Sequence, residues 1–475
     1  MLFQSFDFLL FFPLFTVLYF LLPVRHRWWW VLLTSYAFYA FWNPWYLLLL
    51  FASTLTDFYA ALAIAATADR SKKKRWLAFS LTVNLGLLAI FKYYDFFAEQ
   101  FAWFIRWSDP DFSPYLLEVV LPVGISFYTF QTIGYTVDVY RGRQLPVRQL
   151  GYFANYVSFF PQLVAGPIER AKDLLPQLHF NYRFDSQRVT EGLRLFLWGL
   201  FKKLVVADRL GLFVGAVFTE PGAHGGGVVL LAGYLFFFQI YYDFSAYQDM
   251  AVGTARILGV RLSDNFKPLI LLSSSAIKFW QGWHMTLTRW IGDYAYRLFG
   301  MHRAKIGHVM ISPLFIFFLV GLWHGANWTY ILWGVLNGIF LIVERELRGV
   351  NTVIKRFFGK KIRNGIGFFF FFNAFTFANI FFCSSSVSQG WHFLQSIVLL
   401  PTTAWNPGMH PIDFALLWIV LFFSVLFEYS HRHLPPLELL HLRHPALRWL
   451  LYLILGWAIW FLRIPEDLEF IYFEF

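Results

Sequence analysis

The chain has 475 residues, 58% of them hydrophobic and 22% aromatic, and only 14% are charged, where a soluble domain carries about a quarter. With a mean hydropathy of +0.53, this excludes a soluble enzyme, and the single cysteine, Cys383, excludes internal disulfides and any cysteine-based metal cluster. The formal charge of +11 does not point to nucleic acid, because the basic residues fall in short loops between apolar runs, where membrane orientation signals are expected.

In chain order, the apolar runs predict membrane spans at 5–23, 28–42, 45–67, 76–95, 115–137, 191–217, 227–258, 309–323, 328–343, 365–383, 411–428 and 446–462. No A-x-A-like cleavage site follows the first run, which is therefore read as a retained span. The loop "ADRSKKKRW" (68–76) holds five Lys/Arg and one Asp, and "YRGRQLPVR" (140–148) holds three Arg and no acid. Between them, residues 94–115 carry four acids and one Arg, whereas the segment from Glu344 to Arg363 carries seven Lys/Arg against two Glu. Basic loops in the cytoplasm place both termini outside, consistently along all twelve spans.

Three stretches do not read as simple spans. Residues 152–178 are apolar but broken by Pro161, Gly166, Pro167 and Pro176, and residues 266–300 mix apolar residues with Lys278, His284, Arg289, Asp293 and Arg297. Residues 388–401 are too short to cross. Irregular backbone at membrane depth is tolerated only inside protein or along a water-filled cavity, so the first two are expected as re-entrant or interfacial helices bordering a cavity. No repeat, low-complexity tract or long linker divides the chain, and one membrane domain over 1–475 is expected.

Ionisable residues inside apolar sequence are the candidates for chemistry. His324, in "GLWHGANW", follows an apolar run of about 16 residues, roughly 24 Å of helical rise beyond the basic patch 301–308. On a continuing helix, Asn327 at i+3 would share its face and orient the ring; the alternative is a histidine that ties two helices together. His284, in "KFWQGWHMTLTRW" (278–290), would share a helical face with Gln281 and Thr288. The two histidines either meet across one cavity or are unrelated interfacial residues. No cluster of further His, Cys or carboxylate ligands accompanies either, so no metal is expected. Tyr241, Tyr242, Asp243, Ser245, Tyr247 and Asp249 form a dense polar-aromatic patch, suited to a cavity wall or to a hydrogen-bonded helix contact.

Several stretches carry a family resemblance: "LPVGISFYTFQTIGYTVDVYRG" (121–142), "FFPQLVAGPIER" (159–170), "GLFKKLVVADRL" (199–210), "YYDFSAYQDMAVGTARILGVRLSDNFKP" (241–268), "FWQGWHMTLTRWIGDY" (279–294), "GLWHGANWTYILWGVLNG" (321–338) and the terminal "FIYFEF". In order and number they resemble the membrane-bound O-acyltransferases, within them the bacterial alginate O-acetyltransferase branch. The resemblance implies an all-α polytopic fold of about 11–12 transmembrane helices, with re-entrant or interfacial helices around a central tunnel. It implies His324 as the family's essential histidine, His284 as the second histidine and Asn265 as the asparagine of its "NF" pair. Two departures stand out: Gly282 where the family usually has Arg, and Cys383 where it often has Arg.

On this reading the protein takes an acetyl group from cytoplasmic acetyl-CoA, at a bacterial inner membrane, for O-acetylation of an extracytoplasmic glycan. His324 would serve as general base or transient acyl carrier. Lys278 and Arg289 are candidates to hold the polyanionic donor beside Asn265. Implied partners are a separate extracytoplasmic SGNH-type acetyltransferase or acetyl-carrier protein and the polysaccharide synthesis machinery. The alternatives are D-alanyl transfer to teichoic acid by a related branch, and a transporter for a polysaccharide or lipid-linked sugar.

Overall fold

Backbone in hydrocarbon must bond to itself, and these apolar runs do so as helices. The computed structural model describes residues 1–298, 306–399, 405–434, 436–438, 440–441, 444–464, 468 and 470–471. Among them are twenty α-helices and no strand. The protein is an all-α polytopic membrane protein. Six described helical stretches are long and apolar enough to cross a bilayer: Tyr46–Ala66, Arg70–Ile105, Gly226–Ile257, Arg348–Cys383, Pro411–Ser430 and Pro445–Leu462. Phe6–Leu21 and Ile311–His324 are apolar and shorter. Most of the basic patch 301–308 and the last four residues of the chain lie outside the described residues.

The described chain divides into two compact units, Met1–Leu193 with Ala251–Ser263, and Arg194–Met250 with Asp264–Phe475. The first holds α1 (Phe6–Leu21), α2 (Val24–Ala40), α3 (Tyr46–Ala66), α4 (Arg70–Leu88), α5 (Tyr94–Ile105), α6 (Ile125–Tyr140), α7 (Leu150–Ser158), α8 (Phe160–Leu163) and α9 (Ala171–Leu174). Residues 94–115, read from sequence as an acidic loop, instead begin with α5, which continues α4 through a π-helical turn at Ala89–Tyr93. The span expected at 115–137 starts only at Ile125, because Pro114 and Pro122 interrupt the backbone and Gly124 is left-handed (φ 77°). Residues 152–178 break into α7, α8 and α9 at their prolines and glycine. The interior of this unit is tied by Asp57 on α3, which accepts from Ser80 and Asn84 of α4 (2.5 and 2.7 Å) and from Thr136 of α6 (2.6 Å). Such polar ties hold helices together where water offers no hydrophobic drive.

Helix α10 (Ser186–Phe201) leads into the second unit, which contains α11 (Asp208–Thr219), most of α12 (Gly226–Ile257), α13 (Ala276–Trp280), α14 (Met285–Leu298), α15 (Ile306–His324), α16 (Trp328–Glu346), α17 (Arg348–Cys383), α18 (Val387–Leu399), α19 (Pro411–Ser430) and α20 (Pro445–Leu462). Between α10 and α11 a π-helical turn, Lys202–Ala207, turns two consecutive lysines inward. Lys202 pairs with Asp249 (2.6 Å), and Lys203 bridges Asp208 and Asp243 (both 2.8 Å).

Helices α15 and α16 form an antiparallel hairpin whose register is set by small residues. A Cβ on Gly334 would lie 2.1 Å from the Phe317 carbonyl oxygen, and one on Gly321 would lie 2.3 Å from that of Tyr330. Both obstacles are backbone, which cannot swing aside. Close approach of this kind is how small residues pack membrane helices. Gly334→Ala is therefore expected to push the hairpin apart, costing about 1–3 kcal/mol by overpacking. Thermal unfolding in detergent checks this: a lowered melting temperature is expected, and an unchanged one would show slack at the contact.

Candidate functional site

The long polar-apolar stretch 266–300 breaks where the sequence mixes its signals. Ser275 caps α13 by accepting from the Lys278 N–H (3.2 Å), and the helix ends after Trp280. Helix α14 begins at Met285, so Gln281 and His284 do not share a helix, correcting the expectation from spacing. His284 lies between the two helices with φ +43°, a left-handed conformation that costs a non-glycine residue roughly 1–2 kcal/mol. Neighbours on both sides hold it there. The Lys267 N–H donates to the Gly282 carbonyl (2.9 Å), and the Met285 N–H donates to the Asn265 carbonyl (3.0 Å). The Asn265 side-chain oxygen accepts from the Thr286 N–H (3.0 Å) and hydroxyl (2.6 Å), while its amide donates to Gln248 (3.1 Å). Asn265, fully buried, is thus a positioning residue for His284. Gly282 lies close under the same segment: a Cβ there would sit 2.6 Å from the Ile270 Cδ1 and 3.1 Å from the Lys267 side chain, so a larger residue would have to shift those side chains.

His324 is the last residue of α15. Its ring meets Trp323, Trp333 and Phe382 at 4.8, 5.0 and 5.1 Å, the last two nearly edge-to-face (88° and 80°). The Trp333 indole N–H donates to Asn379 on α17 (2.9 Å), which fixes that wall. Trp323 also reaches the His284 ring at 6.0 Å, and Phe244 covers His284 at 4.8 Å. The helix stops at His324, so Asn327 does not share its face as the spacing suggested. Instead Asn327 caps α16, accepting from the Thr329 N–H (3.0 Å) and donating to the Ser385 carbonyl (2.9 Å). Cys383 ends α17 beside Phe382 and is half-buried.

The two histidines line one cavity of about 390 Å³. His284, Leu287, Thr288, Ile291 and Tyr296 line it from one side, and His324, Val320, Phe317 and Pro313 from α15, with Leu341 and Arg345 from α16. These are helical stripes of spacing three and four, so the cavity follows the helices for roughly 17 Å by their rise. Its walls are almost entirely apolar. The histidines lie at one end. Arg345, near the opposite end of the hairpin, is the one Lys or Arg among the described lining residues. Sequence reasoning missed Arg345 because it sits among the basic residues that mark orientation, and nothing local separates it from them.

The other expected site residues fall elsewhere. Lys278 and Arg289 are exposed and are not among the lining residues. Asp243 is buried on Lys203 and also accepts from the Ile471 N–H (2.8 Å), so it anchors the C-terminal segment. From its patch, Tyr241, Ser245 and Asp249 instead line a second, polar cavity of about 70 Å³, with Lys202 and Glu428. Among the described residues, no group of three or more His, Cys, Asp or Glu is placed to hold a metal.

Asn265→Ala removes the side-chain acceptor that holds Thr286, two residues after His284, and keeps the backbone carbonyl that accepts from Met285. It is expected to lower kcat by about tenfold or more through misplacement of His284, with a smaller change in donor KM. Asn265→Asp, which keeps the acceptor for Thr286, is expected to recover part of the loss. Steady-state kinetics of the two variants distinguish this from general unfolding, which Asp would not rescue.

Residues 147–387 match the model of the MBOAT, membrane-bound O-acyltransferase family. The chain is 39% identical over 355 residues to the probable alginate O-acetylase AlgI of Azotobacter vinelandii, covering 73% of this chain and 69% of that one. It is 36% identical over 347 residues to the peptidoglycan O-acetyltransferase of Helicobacter pylori, 66% of this chain and 64% of that one. A teichoic acid D-alanyltransferase of Streptococcus thermophilus is more distant, 26% identical over 254 residues, 49% of this chain and 59% of that one. Since the matched region takes in His284, His324 and Arg345 and the whole cavity between them, the chain belongs to the membrane-bound O-acyltransferase family and is an O-acyltransferase.

Proposed function

We propose that this enzyme transfers acetyl from cytoplasmic acetyl-CoA through the membrane for O-acetylation of an extracytoplasmic polysaccharide, acting as one membrane-embedded domain. The observation that carries the reading is an elongated cavity among the described residues, apolar along its length, with two histidines at one end and a cation at the other. A thioester on a long arm with an anionic head matches that polarity. Relatives named as alginate and peptidoglycan O-acetyltransferases support a glycan acceptor. The more distant D-alanyltransferases leave D-alanyl transfer as the second reading.

In the reaction, the acceptor hydroxyl oxygen bonds to the thioester carbonyl carbon as a neutral His324 ring nitrogen takes the hydroxyl proton. The tetrahedral oxyanion then collapses, the carbon–sulfur bond breaks, and the thiolate recovers the proton from His324, giving ester and free thiol. If His324 instead carries the acetyl group, its nitrogen attacks first and an acetyl-imidazole precedes transfer. The apolar walls keep water from the thioester. Arg345 binds donor phosphate as a charge-assisted pair, while Lys278 and Arg289, being exposed, are left to the surface. With the basic segments cytoplasmic, both termini lie outside the inner membrane. The cavity has no cleft for several sugars. A separate extracytoplasmic acetyltransferase or carrier beside the synthesis machinery would therefore place the group on polymer.

His324→Ala is expected to abolish transfer, by about a thousandfold or more, with normal membrane insertion. A stable His324→Ala protein acetylating glycan at the wild-type rate would refute the assignment. For the donor, Arg345→Gln is expected to raise KM for acetyl-CoA by about tenfold, the loss of one charge-assisted contact. The same variant should leave KM unchanged for a short acetyl thioester that lacks phosphate. Equal effects on both donors would remove Arg345 from the phosphate site.

A further inference from the structure

Beyond the cavity, α17 poses a problem of length. It runs 36 residues, roughly 54 Å of rise, against a hydrocarbon core of about 30 Å. The excess lies at its start, and the helix breaks there at Gly359 (φ 81°, ψ 169°), a conformation open to glycine. Residues 348–358 are consequently a separate helical segment ahead of the apolar run.

That segment is amphipathic. At 100° per residue, Val350, Val353, Ile354, Phe357 and Phe358 fall on one side, and Arg348, Asn351, Thr352, Lys355 and Arg356 on the other. Most of the apolar side is exposed: Phe357 is 74% and Phe358 62% exposed, with Val350 and Val353 also exposed and Ile354 half-buried. Lys360, Lys361 and Arg363 follow the break, and no carboxylate occurs between Leu347 and Arg363. The rule that basic loops stay in the cytoplasm accounts for the charges but not for a row of large exposed apolar residues beneath them. A soluble acidic partner would likewise meet the cations and leave those side chains in water. A surface that is apolar below and anionic at the headgroup level satisfies both faces at once.

We propose that residues 348–363 dock on anionic phospholipid, burying Val350, Val353, Phe357 and Phe358 at the acyl boundary and setting Arg348, Lys355, Arg356, Lys360 and Lys361 against headgroup phosphates. The segment begins three residues after Arg345, so this docking fixes the Arg345 end of the cavity relative to the membrane surface. The inference rests on the membrane placement of α17 and is independent of the acyl-transfer reading.

The full chain in a Cys383→Ser background, with an environment-sensitive fluorophore at Phe357→Cys, is reconstituted in nanodiscs of phosphatidylcholine alone or mixed with phosphatidylglycerol. Anionic lipid in both leaflets makes the result independent of orientation. In the mixed discs the label is expected to emit at shorter wavelength and be quenched by iodide about threefold less than the same label at Thr352→Cys, an exposed position on the polar side. The protection should weaken in phosphatidylcholine alone, at high salt, and in Lys355→Gln/Arg356→Gln/Lys360→Gln/Lys361→Gln. Equal quenching at 352 and 357 in the anionic discs overturns the docking, and equal protection at 357 in both lipids overturns its anionic character.

Discussion

The backbone break at His284 is held by a short run of chain, residues 265–267, and the cavity depends on that contact. A helix interrupted at membrane depth leaves N–H and C=O groups that lipid cannot satisfy. Here the opposing segment satisfies them on both sides of His284, by Lys267 to Gly282 and by Asn265 to Met285 and Thr286. With its neighbours pinned, His284 keeps a left-handed conformation it would otherwise leave, and α14 starts with its own face turned toward the cavity.

The second half of the site depends on close packing rather than on hydrogen bonds. Helices α15 and α16 approach until glycine is the only residue that fits at several contacts, and this brings His324 against Trp333. Trp333 is in turn tied to α17 through Asn379. One histidine is therefore positioned by a polar clamp on irregular backbone and the other by an apolar hairpin. Trp323 touches both rings. Polar groups outside the cavity, Asp57 in one unit and the Lys202 and Lys203 pairs in the other, are consumed in structure.

This division explains which site residues were misjudged. Lys278 and Arg289 have the right charge near the right histidine, but Lys278 on α13, before the break, and Arg289 on α14, after it, are both exposed. Asn327 has the right spacing from His324, but the helix ends first and the side chain becomes a cap. Gly282, a departure from the family pattern, fits its surroundings: the Ile270 and Lys267 side chains lie where its own side chain would start.

The sequence by itself determined the class of the protein, because long apolar runs have no other stable form in a bilayer than helix. It also marked most helices to within a few residues, the broken stretches at 152–178 and 266–300, and both histidines as ionisable groups in apolar surroundings. These follow from local properties: hydropathy, proline and glycine placement, and the cost of burying a charge. Only the tertiary structure decided that His284 and His324 line one cavity, that Asn265 holds the backbone just after His284, and that Arg345 lines the cavity toward its far end. Those facts depend on where helices stop and which way they face across tens of residues, which no local pattern encodes.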